Sequence, residues 1–443
     1  MRKKAFAIIS IIVFITALCS GLYIYRSISS VSEMFRLNGE LQAEGYYMAE
    51  FEFKMLGCAY YLDHGQYVTA FNKLNNLHDK LITKKGLIKV PSFANKREEM
   101  QFYLNLQNPK TGAFMDDSYP TFFYFEPTLN VVDHLEQLAA ETGQPLRLKY
   151  PLTFMKQFDS PEELKIVMDD LSTVGWIGSK LPKTNYMMAS CYRSYDLLER
   201  NHLYAFSPEW KHELLRWFYN NQDSRTGYWG PRLRSSGELL SGGDLSPTYK
   251  IVTMFVDEQG NNIYPEFPLR YEEAMLKNTL NKIAQPMPDD ANLAEVHEWQ
   301  LTRYHGLKLL TCYMWKSLSV QDKNEVRNTI ENIIENKYKN FYLKNQGAFT
   351  YYPGSQEATL EGANDMLSLL DLIGAFSAEK QMRLWGSPNQ TITDLGECEI
   401  VQIKDRDLNR LINAPGVNSL RYYSTDPELS NDFTSGVLGL CYP

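Results

Sequence analysis

Gln107-Asn108-Pro109-Lys110-Thr111-Gly112-Ala113-Phe114 is the stretch on which the fold turns. An amide side chain at a helix end is followed by a polar turn, a glycine and an aromatic residue. Glycine takes the left-handed backbone that commonly ends a helix, and the aromatic can then fold back onto the body. The pattern returns at Asn221-Gln222-Asp223-Ser224-Arg225-Thr226-Gly227-Tyr228-Trp229 and, shortened, at Asn345-Gln346-Gly347-Ala348-Phe349. Gly112, Gly227 and Gly347 lie too far apart for a simple solenoid repeat. Their spacing suits every second or third hairpin of a closed helical ring.

Helical signals surround these turns. Ser160-Pro161-Glu162-Glu163 combines a capping serine, proline in the first turn and Glu at the capping-box position. Ser207-Pro208 opens a stretch with Trp210, Leu214, Trp217 and Phe218 on one face, and Ser319 opens another with Val326, Ile330 and Ile333. Glu126-Pro127 starts a helix that Gly143 stops. Ser246-Pro247 opens a further one, although Ile251, Val252 and Val256 also suit a strand. With stretches at 97–107, 185–200, 269–284, 295–317 and 360–378, the count is about twelve helices with few strands.

Glycine-aromatic turns after helices, in a chain of this helical content, resemble the (α/α) toroids over Lys96 to Phe376. That superfamily includes terpene cyclases and protein prenyltransferase subunits, as well as many glycoside hydrolases and polysaccharide lyases. The Asp-x-Asp-Asp motif of protonation-driven cyclases and the prenyltransferase zinc set are both missing. Asp116-Asp117 and Asp289-Asp290 lack the rest of a metal-diphosphate motif. The resemblance therefore implies an outward-facing toroid that cleaves or binds a carbohydrate polymer, either as a glycoside hydrolase or polysaccharide lyase or as a non-catalytic envelope recognition or scaffold protein.

Arg2, Lys3 and Lys4 precede an uncharged run from Ala5 to Tyr25. Its length matches the ~20 residues that cross a bilayer. The positive cluster predicts a cytoplasmic N-terminus and an extracytoplasmic C-terminal domain. The expected fold class is thus all-α: a single-pass N-terminal transmembrane helix, then an (α/α) toroid of about six helical hairpins. The expected organisation is a membrane anchor over 1–27, a helical stalk or first hairpin over 28–95, and the toroid over 96–443, at the cell membrane.

The 443 residues carry a net charge of −8, with 44% apolar and 22% charged residues. A folded body is expected, and a phosphate-backbone binder is not, since that needs a basic surface. The expected partners are a polysaccharide or glycan and, through residues 5–25, the membrane, with no nucleic acid. The six cysteines show no CxxC and no zinc spacing. Neither a metal ligand set nor a cofactor motif is present. Cys398 and Cys441 are the pair to test for a disulfide.

Candidate chemistry falls on three segments. Asp116 and Asp117 follow the first glycine turn, where paired carboxylates suit acid/base work on a glycosidic bond; the alternative is a solvated acidic loop before the helix at Pro127, since loop carboxylates are usually just exposed. Glu298 and His305 share one face of a predicted helix, and His297 and Tyr304 a neighbouring one. Such groups can move protons, or simply form a polar helix face. Tyr228, Trp229 and Tyr352 are read as a sugar-stacking wall, against the alternative of core packing. The catalytic set is therefore Asp116, Asp117, Glu298, Tyr304 and His305. It requires that the post-turn loop and the Glu298 helix meet at one cleft. Gly242-Gly243-Asp244 begins no phosphate loop, because the Walker pattern is missing.

Overall fold

The computed structural model describes residues 29–180, 185–240, 243–289 and 293–386, together with the strands Cys398–Ile403, Ser419–Tyr423 and Gly436–Cys441. The chain divides into two compact units, 1–279 and 280–443.

The first unit opens on helix α1 (29–43), followed by the paired helices α2 (Phe51–Asp63) and α3 (Tyr67–Thr83). Then come α4 (Lys96–Asn105), α5 (Phe125–Thr142), α6 (Pro161–Ser172), α7 (Tyr186–Cys191), α8 (Asp196–Arg200), α9 (Pro208–Asn221), α10 (Leu245–Val252) and α11 (Glu272–Ile283). Helix α7 packs on α5, α6 and α10, while α6 packs on α9 and α4 on α5. Burial follows this arrangement. Every residue of α7 but Met187 is buried, whereas α9 buries only a stripe containing Trp210, Leu214, Trp217 and Phe218. Helices buried all round beside amphipathic ones are compatible with the expected succession of helical hairpins.

The caps form where the sequence places them. Ser160 Oγ accepts the Glu163 N–H at 3.2 Å, and Ser207 Oγ accepts the Trp210 N–H at 3.1 Å. The start of α10 differs: Asp244 caps it by accepting the Ser246 N–H at 3.0 Å, so the helix begins before the Ser-Pro pair. An aspartate there satisfies an orphan amide as well as serine does.

Two of the three glycine turns are the same object. The Gln107 amide donates to Gly112 O and Tyr150 O, both at 2.7 Å, and the Gln222 amide donates to Gly227 O and Arg270 O, both at 2.8 Å. Phe114 N–H donates to Thr128 Oγ1, and Trp229 N–H to Thr248 Oγ1. Gly112 has φ +73° and Gly227 φ +72°; a Cβ would stand 2.0 Å from Pro151 O or 2.6 Å from Met275. Only glycine fits either place. The third glycine is different. Gly347 lies between the antiparallel strands β3 (Tyr342–Leu343) and β4 (Ala348–Phe349), in a hairpin whose Gln346 amide donates to Gln356 O and accepts from Ala358 N–H.

The second unit contains α12 (Leu293–Lys308), a π-helical turn over Leu309–Met314, α13 (Val320–Asn340), β3, β4, α14 (Leu360–Leu372) and α15 (Ala378–Trp385). Ser319 and Asp322 form a reciprocal capping box at the start of α13. Helices α12 and α14 pack together. The strands β5 (Cys398–Ile403), β6 (Ser419–Tyr423) and β7 (Gly436–Cys441) form an antiparallel sheet in the order β5-β7-β6, and Cys398 and Cys441 are partners in its register.

The expected fold class needs correction at both ends. The C-terminal strands replace an all-α end; runs such as Ile400-Val401 and Val437-Leu438 favour the extended backbone. Among the described residues no helix is long and apolar enough to cross a membrane. The described structure therefore does not support the expected transmembrane helix or the single-pass, membrane-anchored localisation. The run 5–25, on which that expectation rests, lies outside the described residues.

Candidate functional site

The end of α2 places an acid where a helix least favours one. Asp63 sits in the last turn, against the partial negative charge of the helix C-terminus, and its side chain is 1% exposed. It is compensated from outside the helix. Gly175 N–H reaches both carboxylate oxygens at 2.9 Å, Gly178 N–H donates at 2.7 Å, and the Arg234 guanidinium donates at 3.1 Å. Arg234 is itself fixed by parallel pairing of β1 (Thr173–Val174) with β2 (Arg232–Leu233), its N–H donating to Val174 O at 2.8 Å. A Cβ on Gly175 or Gly178 would stand 2.9 or 2.7 Å from Asp63 Oδ1. The loop can approach only because both positions are bare. Between them Trp176 projects with 76% of its surface exposed.

One turn away, α2 meets α6. Asp170 accepts the Tyr60 hydroxyl at 2.6 Å and faces His64 Nε2 at 3.0 Å. His64 Nδ1 lies 2.9 Å from Tyr60 O, a carbonyl that can only accept. Nε2 also lies 3.2 Å from an Arg234 guanidinium nitrogen, which can only donate, so it stands between an acceptor and a donor. The Asp170 hydrogen bond raises the His64 pKa, against burial and the neighbouring Arg234. For Asp170, burial pushes the pKa upward, but the bonds from His64 and Tyr60 win and hold it below the usual carboxylate range. Burial, then Asp170, raises the Tyr60 phenol. The Tyr60 ring stacks on His64 at 3.9 Å and meets Phe122 and Phe123 edge-on.

This assembly offers an exposed indole, a partly exposed carboxylate, an imidazole with a raised pKa and a guanidinium. It lacks a carboxylic acid poised to give up a proton. Asp63 is sealed in its ion pair, and Asp170 is held ionised. Glycoside hydrolysis needs two carboxyl groups, one of them protonated.

The sequence-selected residues are distributed otherwise. Asp116 and Asp117 belong to the first unit. Asp116 is half-buried; burial would raise its pKa, but the Ser118 hydrogen bonds and Lys54 and Lys80 keep it low. Asp117 is exposed and pairs with Lys110 at 3.0 Å. Asp116, held low, is not suited to donate a proton. The stacking role of Tyr228 and Trp229 is corrected: both are wholly buried. Tyr228 Oη bonds Thr279 Oγ1, and Trp229 Nε1 donates to Phe218 O, so the second glycine turn directs its aromatics into the core.

Glu298, Tyr304, His305 and Tyr352 belong to the second unit. Glu298 is exposed on α12; the Tyr304 and His305 rings are half-buried, 6.0 Å apart. Tyr352 is half-buried and edge-on to Tyr351. What α12 brings together lies one residue earlier in both segments: His297 Nδ1 and Tyr351 Oη are 2.7 Å apart. Gln300 Nε2 donates to Tyr351 O at 2.7 Å, and buried Lys337 donates to Gln300 Oε1 and to Asp365. Arg303, over the Trp299 ring at 3.6 Å, has its pKa lowered by burial to about 10. Burial also lowers Lys337, against Asp365.

Sequence reasoning passed over the α2 cluster, although two signals were present. Tyr60 and His64 have the i, i+4 spacing of one helix face, and Gly175-Trp176-Ile177-Gly178 sets a tryptophan between two glycines. No family model matches the chain, and neither a curated protein nor a solved structure matches it.

Proposed function

We propose that the first unit recognises a carbohydrate chain, with Trp176 as the stacking platform and the Tyr60–His64–Asp170–Arg234 cluster as its polar border. The observation that carries this reading is the 76%-exposed indole on a loop fastened by two glycine amides to a buried aspartate. A large apolar ring left in water needs a reason, and a clamped one offers a flat face with little ordering cost on binding. Arg234 and Asp170 supply a donor and an acceptor beside it for hydroxyl groups. The cluster supports binding rather than cleavage, because Asp63 is buried in its ion pair and amide bonds and the Asp170 carboxyl is held below its usual range by His64 and Tyr60.

The test is a glycan array probed with the full chain and with Trp176→Ala. The expected result is binding to one glycan class that the variant loses, with an unchanged circular dichroism spectrum. Binding that survives Trp176→Ala, or no binding to any glycan, overturns the reading.

A further inference from the structure

One nitrogen of His64 has its role fixed by the backbone. Nδ1 lies 2.9 Å from Tyr60 O, which can only accept, so Nδ1 carries the hydrogen when the ring holds just one. The other nitrogen meets two partners of opposite kind. Nε2 lies 3.0 Å from Asp170 Oδ1, an acceptor, and 3.2 Å from Arg234 Nη2, a donor. No single protonation state serves both. The neutral ring, bare at Nε2, accepts from Arg234 and turns a lone pair toward the Asp170 carboxylate. The imidazolium donates to Asp170 and sets a like charge beside the guanidinium.

Each partner keeps a second anchor when His64 lets it go. Arg234 Nη2 also donates to Asp63 Oδ2 at 3.1 Å, and Asp170 Oδ2 accepts the Tyr60 hydroxyl at 2.6 Å. Their side chains are 40% and 32% exposed, so the released atom stays at the border of the site. The charged and titratable groups facing the ring are Asp170 from α6, Arg234 beyond β2, and Tyr60 and Asp63 from α2; Phe122 and Phe123, against Tyr60, bring only rings. Two carboxylates against one guanidinium leave one net negative charge while the ring is neutral, and protonation cancels it.

We propose that His64 is a proton-operated selector of the Trp176 site, holding Arg234 and freeing Asp170 Oδ1 when neutral, and holding Asp170 and freeing an Arg234 N–H when protonated. The inference rests on the carbohydrate reading of that site and adds its regulation. Acid turns the border from an acceptor into a donor and removes its negative charge. Glycans that carry carboxylates therefore gain affinity as the pH falls. Because the Asp170 hydrogen bond raises the ring's pKa, the exchange falls above the ordinary imidazole value of ~6.5.

Nitrogen-15 NMR of the unliganded full chain across pH reads the selector without any glycan, with the His64 ring assigned by its loss in His64→Gln. The neutral ring should carry its hydrogen on Nδ1. The Arg234 side-chain signals should move with the ring's own midpoint in the wild type and stay still there in His64→Gln, and Asp170→Asn should lower that midpoint. A neutral ring protonated at Nε2, or Arg234 signals that ignore the midpoint, overturns the inference. Calorimetric titration with tetragalacturonate, tetramannuronate and a hyaluronan hexasaccharide then follows on either side of the midpoint. At least one should bind roughly fivefold tighter on the acid side, the worth of about one hydrogen bond, and equally on both sides in His64→Gln. Equal binding in the wild type, or none of the three bound, overturns the inference and leaves the carbohydrate reading to the array. An array without any bound glycan, or binding that survives Trp176→Ala, overturns that reading instead, and the NMR titration alone then decides whether His64 exchanges its partners.

Discussion

Each unit contains a tyrosine bonded within a polar network that includes a histidine, and the two networks are built in opposite ways. In the first unit Tyr60, His64 and Asp170 lie partly open, and the buried member, Asp63, is neutralised by Arg234 and two loop amides. In the second unit Tyr351 and Lys337 are buried, at 5% and 4% exposure, Arg303 is buried with them, and Lys337 pairs with the partly buried carboxylate of Asp365. A network turned inward specifies packing; one turned outward leaves groups for a ligand. Residue type alone therefore does not mark a functional cluster. The side that remains in contact with water does.

The inward network should break hardest. Asp365→Ala leaves the Lys337 ammonium buried without its counter-charge, at a cost of about 3–5 kcal/mol, read by urea denaturation of the full chain. The pair Lys337→Met with Asp365→Leu should recover most of that loss. A single variant within ~1 kcal/mol of wild type would show that Gln300 alone satisfies the lysine.

Asp63→Asn should have a smaller and more local effect. It removes the charge that holds Arg234 and weakens two loop amide bonds, costing about 1–3 kcal/mol. Hydrogen exchange should rise at residues 175–178 and leave α13 unchanged. Equal acceleration in both units would erase the contrast drawn between them.

The smallest effect is pH-dependent. The folded-state pKa of His64 is raised, so its contribution is fully present below the unfolded value of ~6.5 and is lost as pH rises through the folded value. Asp170, lowered, contributes above its unfolded value of ~3.9 and loses that contribution as pH falls through its folded value. Stability should therefore decline gently above neutrality in the wild type and less so in His64→Gln, measured by thermal melts across pH. An identical profile in the variant would mean that the imidazole is neutral in the fold.

Local chemistry was legible in the sequence, and tertiary chemistry was not. The caps at Ser160, Ser207 and Ser319 involve residues only three apart, so spacing reveals them. The turns at Gly112 and Gly227 were visible for the same reason, but a glycine followed by an aromatic also closes the β3–β4 hairpin at Gly347. The α2 cluster needs Asp63, Asp170 and Arg234 from distant segments, and no window contains all three. In α12 the reading landed one residue away, on Glu298 beside His297. One step along a helix turns a side chain by about 100°, enough to separate a solvent face from an inward one.

The two matching turns carry a chemical clock. Gln107 and Gln222 each spend both amide hydrogens on two backbone carbonyls, and each is about 95% withdrawn from water. Hydrolysis of either amide to a carboxylate would exchange one atom, with almost no change of shape, yet set an anion against two carbonyl oxygens. At these two positions a single deamidation would untie the end of a helix from the loops that hold it. The burial that makes such damage severe also keeps the attacking water away.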